Sequence, residues 1–93
     1  MKHARKDYDR IQDPAGIIPE AEPVFLLRGQ DITAPSVVDT WAIRAREFGA
    51  DMRMVEAAKQ QAEAMRQWQR DHGMKIPDMP LVPLPHIEPS HIP

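Results

Sequence analysis

The feature that most limits what this chain can fold into is the short connection Gly49-Ala50-Asp51, set between two stretches of helical periodicity. In the first stretch, Val37, Val38, Trp41, Ala42, Ala45 and Phe48 recur at helical spacing, which gathers them on one face of a helix over residues 34–48. Thr33 is placed to cap that helix, and Pro35 fits the first turn, where its missing N–H costs nothing. Gly49 stands where a left-handed residue ends a helix, and Asp51 can cap the next one at once. The second helix, over residues 51–72, is about 30 Å long at 1.5 Å per residue. Val55, Ala58, Ala62, Met65, Gln69 and His72 follow a heptad spacing along it, and Ala57, Gln61, Ala64 and Trp68 form a second stripe beside them. Small residues on such a seam allow helix backbones to approach closely. Glu56 with Lys59, and Glu63 with Arg66 or Gln67, can support the outer face weakly, and Gly73 and Pro77 end the helix. So tight a connection predicts an antiparallel hairpin.

The flanks are read differently. The first 22 residues are polar, with Asp13-Pro14-Ala15-Gly16 as a turn and Pro19 and Pro23 keeping the chain extended. An N-terminal arm is expected there, fixed to the body by Tyr8 and Ile11. Val24-Phe25-Leu26-Leu27-Arg28 is the densest apolar run and reads as a short strand-like segment. No second good strand follows it, so it is expected to lie across the helices, to start a helical turn, or to pair with another copy. After Pro77 the prolines at 80, 83, 85, 89 and 93 forbid helix and central strand, yet Ile76, Met79, Leu81, Val82, Leu84, Ile87 and Ile92 keep the segment apolar. A solvated linker would be rich in Ser, Gly or charge. The expected class is mainly α: a hairpin domain with its N-terminal arm over residues 1–73, and an extended proline-rich C-terminal arm over 74–93.

Two helices hide one face of each, and Trp41, Phe48, Met54, Met65 and Trp68 exceed what one seam accommodates. Each such side chain gains about 1.5–3 kcal/mol on burial, so self-association is expected in a chain of only 93 residues. The competing account is a monomer wrapped by its own arms.

Composition narrows function by exclusion. The net charge of −2 gives no general attraction to polyanions or membrane surfaces. With no cysteine there is no disulfide, thiolate metal site or Cys nucleophile. MKHARKDYDR lacks the apolar core of a signal peptide, and no run is long enough to span a bilayer, so a cytoplasmic protein is expected. There is no Gly-rich phosphate loop, HExxH or GxSxG, and serine occurs only at 36 and 90, so neither catalysis nor a cofactor is expected. His86, Glu88 and His91 make a poor metal set, because structural sites want four ligands in fixed geometry.

What remains points to binding. Arg outnumbers Lys eight to four, and the Arg fork suits carboxylate and phosphate where Lys offers a point charge. In Arg28-Gly29-Gln30-Asp31 the Arg can fork an anion, Gln30 and Asp31 can read polar edges, and Gly29 permits close backbone approach. Trp41 in the following helix offers an aromatic platform. Lys6, Tyr8 and Arg10 alternate a ring with cations along the N-terminal arm. The ordinary alternative is that Arg28 pairs with a carboxylate and Asp31 assists the turn before the helix.

DYDRIQDPAGIIPEAEPVFLLRGQDITAPSVVDTWA, continuing into QAEAMRQWQ, resembles a set of short phage and prophage accessory proteins over roughly residues 7–72, most specifically at IPEAEPVFLLRGQD. The resemblance carries no catalytic motif. It implies a phage product made in the host bacterial cytoplasm and a role against host defence. On that basis the expected function is sequestration of a nucleotide-derived signal, of cyclic oligonucleotide or ADP-ribose type, at subunit interfaces lined by Lys6, Tyr8, Arg10, Arg28, Gln30 and Trp41. The alternatives are a protein-binding inhibitor of a host defence enzyme and a small assembly or virion factor.

Overall fold

The structure, a computed structural model, describes residues 1–8 and 12–80. In chain order it comprises β1 (Lys2–His3), a 3-10 turn (Lys6–Tyr8), β2 (Pro23–Val24), α1 (Ala34–Glu47) and α2 (Met52–His72). It is mainly helical, and the two helices fall within a residue or so of the spans that periodicity and capping predict.

The local chemistry explains where the helices start and stop. At the start of α1 the cap differs from expectation. Thr33 already has helical backbone angles (φ −86°, ψ −18°), and its hydroxyl caps nothing. A capping side chain works from a residue with non-helical angles. Asp31 supplies the acceptor instead: its Oδ1 takes the Thr33 N–H at 2.8 Å and the Thr33 hydroxyl at 2.7 Å. At the other end Gly49 turns left-handed at φ +84°. Its N–H donates to the Arg46 carbonyl at 3.0 Å, and the Ala50 N–H reaches back to the Ala45 carbonyl at 2.9 Å. That pair of bonds satisfies carbonyls the helix leaves open. Asp51 then caps α2, accepting the Arg53 N–H at 2.8 Å, as the sequence predicts.

α1 and α2 pack along a seam of small side chains. Ala42, Val55 and Ala58 form its centre, with Val38, Ala45 and Ala50 partly buried against them. Ala34, Ala62 and Met65 extend the buried row, and Val55 is the largest side chain with no exposure at all. The first heptad stripe of α2 is therefore the inward one. Across one flank of the seam Asp39 pairs with Arg66, and Arg66 also meets Glu63 at 3.5 Å.

The strand-like segment behaves otherwise than expected. Only Pro23–Val24 is strand, and it has a partner within the chain. Lys2 pairs with Pro23 and His3 with Val24 in a parallel register, and the Lys2 N–H donates to the Glu22 carbonyl at 2.8 Å. Parallel pairing needs a long connection, so the partner lies far upstream. A Lys-His edge also carries none of the β-branched signal by which strands are read. Phe25 is 73% exposed, while Leu26 and Leu27 are half-buried. Of the proline-rich arm, the residues up to Pro80 are described, and Lys75 bridges to Asp31. Ile11 and residues 81–93 lie outside the described residues.

The alanine seam has a mechanical consequence. Replacing the fully buried Ala62 by Leu forces the two backbones apart and should destabilise the fold by about 1–3 kcal/mol. Urea unfolding followed by circular dichroism should read this as a lower midpoint at unchanged slope.

Candidate functional site

Three separate stretches of chain meet around one pocket of about 360 Å³. The N-terminal stretch contributes His3, Arg5 and Tyr8, the segment after β2 contributes Phe25, Arg28 and Gln30, and the segment after α2 contributes Lys75, Ile76 and Met79. The pocket sits against the hairpin because its middle wall is fastened there. Gln69 of α2 donates from Nε2 to the carbonyls of Gly29 at 2.9 Å and Asp31 at 2.8 Å. The third wall is fastened to the second: the Ile32 N–H donates to the Lys75 carbonyl at 3.0 Å, and the Lys75 N–H to the Gln30 carbonyl at 2.8 Å.

The side chains divide into a settled group and an available one. Arg5 is settled. Its Nε reaches both oxygens of Asp7 at 2.8 and 3.0 Å, and its NH1 reaches the Asp78 carboxylate at 3.4 Å. Its guanidinium also lies 4.7 Å from the centre of the Tyr8 ring, within cation–π range. The hydrogen bond it donates to Asp7 holds the Arg5 pKa above its ordinary value. Lys75 is settled on Asp78 at 3.0 Å. That bond, the Lys75 charge and the charge of Arg5 together hold the Asp78 carboxyl below the usual carboxylate range. Asp31 is occupied at the start of α1.

Arg28 is the available cation. Its NH1 donates to the Tyr8 hydroxyl at 3.4 Å, and among the described residues no carboxylate lies within ion-pair distance of it. Tyr8 in turn has His3 edge-on at 6.5 Å. The outcome is a guanidinium and a phenol side by side on a wall whose neighbours Phe25, Leu26, Ile76 and Met79 are apolar. Such a wall can fork an anionic group on Arg28 while an apolar ring rests on the remainder.

Of the residues expected to line a site, the structure brings together Tyr8, Arg28 and Gln30. It does not bring in Lys6, which is exposed on the 3-10 turn, because a turn of three residues points neighbouring side chains apart. Trp41 is also elsewhere, on α1 and 46% exposed. Arg10 lies outside the described residues, as do His86, Glu88 and His91. The pocket is built within one chain, whereas a subunit interface was expected. Gly29 is not in the left-handed region, and the Trp68 ring lies in ordinary contact distance of where a side chain on Gly29 would begin. Sequence reasoning missed Arg5, Lys75 and Phe25. Arg5 was masked by the aspartates around it, and Lys75 lay beyond the helix in what reads as a tail.

Comparison of the chain with protein-family models, curated proteins and solved structures found no match. Among the described residues, no helix is long and apolar enough to cross a membrane.

The lowered Asp78 pKa fixes a sign. A carboxyl depressed by folding lends stability above its unfolded pKa and loses it as pH falls through the folded value. Acidification through that lowered value should therefore release residues 75–79 from Arg5 before the hairpin melts. Carboxyl NMR titration should show Asp78 titrating below an unperturbed aspartate, and Lys75→Gln should move it back up.

Proposed function

We propose that this chain is a non-catalytic binding protein whose pocket takes a small anionic molecule bearing a flat apolar ring, of nucleotide type. The observation that carries this reading is Arg28, a guanidinium on an apolar pocket wall, bonded to the Tyr8 hydroxyl and lacking a carboxylate partner among the described residues. An unpaired guanidinium beside an aromatic ring suits a phosphate attached to a base. The volume of about 360 Å³ lies at the small end of ligand sites, which run from about 300 to 1,000 Å³. One nucleotide unit suits that volume better than a ring of several. The resemblance to phage accessory proteins supplies the biological setting: capture of a host signalling nucleotide.

Calorimetric titration against mononucleotides, ADP-ribose derivatives and cyclic dinucleotides tests the reading. Binding should be found within the mononucleotide or ADP-ribose group. Arg28→Ala should weaken it at least about tenfold, as loss of a charge-assisted bond implies, and Lys6→Ala should leave it unchanged. No heat with any member of the panel sinks the proposal.

A second reading, a protein-binding inhibitor or assembly factor, is favoured by the exposure of Phe48 (84%) and of half or more of Met52, Met54 and Trp68. It predicts a stoichiometric complex with a protein partner that survives Arg28→Ala.

A further inference from the structure

α2 carries two heptad stripes, and only one of them is used within the chain. Val55, Ala58, Ala62 and Met65 are buried in the seam. Met54, Ala57, Gln61, Ala64 and Trp68 each stand one residue earlier, about 100° around the helix, and all five are exposed. No charge falls on this second stripe, although residues 51–72 otherwise include four acids and four Lys or Arg side chains. The order of the stripe is large, small, polar, small, large, and it is symmetric about Gln61.

α1 has the matching feature. Val37, Trp41 and Arg44 each precede a seam residue (Val38, Ala42 and Ala45) by one, Phe48 follows at the C-cap of α1, and all four are exposed. Helical rotation puts Asp39 and Arg66, which pair with one another, on the opposite flank from both stripes. With the helices antiparallel, as the short connection favours, the two stripes form one continuous face bearing a single charge, Arg44. Trp41 then lies at the level of Gln61, bracketed by the Asp39–Arg66 pair and the Ala42–Ala58 part of the seam.

We propose that this face is occupied by the same face of a second copy, related by a two-fold axis perpendicular to the helices and passing near Gln61. α2 then runs antiparallel to α2 of its partner. Gln61 meets its own counterpart, Ala57 faces Ala64, and Met54 reaches Trp68, a sulfur–aromatic contact. The alanines let the helices close, and a central polar pair fixes register. Two hairpins so stacked make a four-helix bundle, each helix contacting two neighbours about 90° apart around its axis.

Area decides for a second copy. Aromatic side chains offer about 150–250 Å² each. At the observed exposures of Trp41 (46%), Trp68 (50%) and Phe48 (84%), with Val37 and Met54 added, the face presents on the order of 500 Å² of apolar surface. A standard interface buries about 800 Å² per partner, roughly 60% of it apolar. A stripe that is its own mirror under a two-fold axis is the pattern an isologous dimer requires. The inference is independent of the pocket reading, since none of these residues lines the pocket.

Light scattering of the purified full chain should give twice the 10.6 kDa of one copy, and Ala57→Glu with Ala64→Glu should halve that mass with helicity by circular dichroism unchanged. Because that variant could lose its fold, a second measurement is decisive. The chain has no cysteine, so Gln61→Cys should form a disulfide-linked dimer on mild oxidation, and Glu56→Cys on the opposite flank should not. A monomer at tens of micromolar, a dimer in which Gln61→Cys does not cross-link, or equal cross-linking from Glu56→Cys overturns the proposal.

Discussion

Gln69 is the side chain on which the arrangement of the pocket depends. It occupies a seam-facing position on the last turns of α2, where a row of apolar residues gives way to an amide. From there its Nε2 donates to two backbone carbonyls, that of Gly29 and that of Asp31, which also accepts the Ala34 N–H at 3.0 Å. Were the amide removed with the loop still in place, the Gly29 carbonyl would lose this partner at a cost of about 1–3 kcal/mol. The loop between β2 and α1 is held against the hairpin by the two amide bonds themselves. The other bonds depend on that placement. Asp31 N–H donates to the Arg28 carbonyl at 3.0 Å, and the Asp31 carboxylate turns the chain into α1. Lys75 then finds Gln30 and Ile32 already presented as an edge. Arg28, carried on the same loop, reaches the Tyr8 hydroxyl at 3.4 Å.

The parts of this fold that were legible in the sequence are those set by local chemistry. Gly49 announces a left-handed turn and Asp51 a cap, and each is satisfied by residues within a few positions of itself. The seam follows from spacing alone, since Val55, Ala58, Ala62 and Met65 leave a helix little choice of inward face. The pocket was only half legible. Tyr8, Arg28 and Gln30 stood out by residue type, but nothing local to them reports that residues 75–79 fold back beside them. That return is made by backbone bonds, which any sequence could offer. β1 was invisible for the same reason, as a parallel pairing of Lys2–His3 with Pro23–Val24 leaves no pattern in side chains. Gln69 was read as one more seam position, and its amide was the signal that the seam ends in a polar task.

The seam is also unusually light. Its buried members are mostly alanine; Val55 and Met65, with the partly buried Val38, add bulk. Alanine favours the helix itself and lets the backbones approach, but it removes little apolar area from water. A chain of this length has a small margin from burial alone. The weight of the apolar side chains instead lies outward, in Trp41, Phe48, Met54 and Trp68. That distribution makes physical sense for a hairpin that completes its core between copies.

Trp68 is where the two proposed surfaces come closest. Its ring stacks on His72 at 3.8 Å and lies against Gly29, which is fastened by Gln69 on the next residue of the helix. Half of the residue's surface remains exposed. A partner covering that half would restrict the Trp68 rotamer and with it the loop that presents Arg28 and Gln30. Rigidifying a binding loop beforehand lowers the ordering entropy a ligand must overcome. Pairing of copies would thus strengthen ligand binding without contributing a single atom to the pocket, and by linkage the ligand would strengthen the pairing by the same factor.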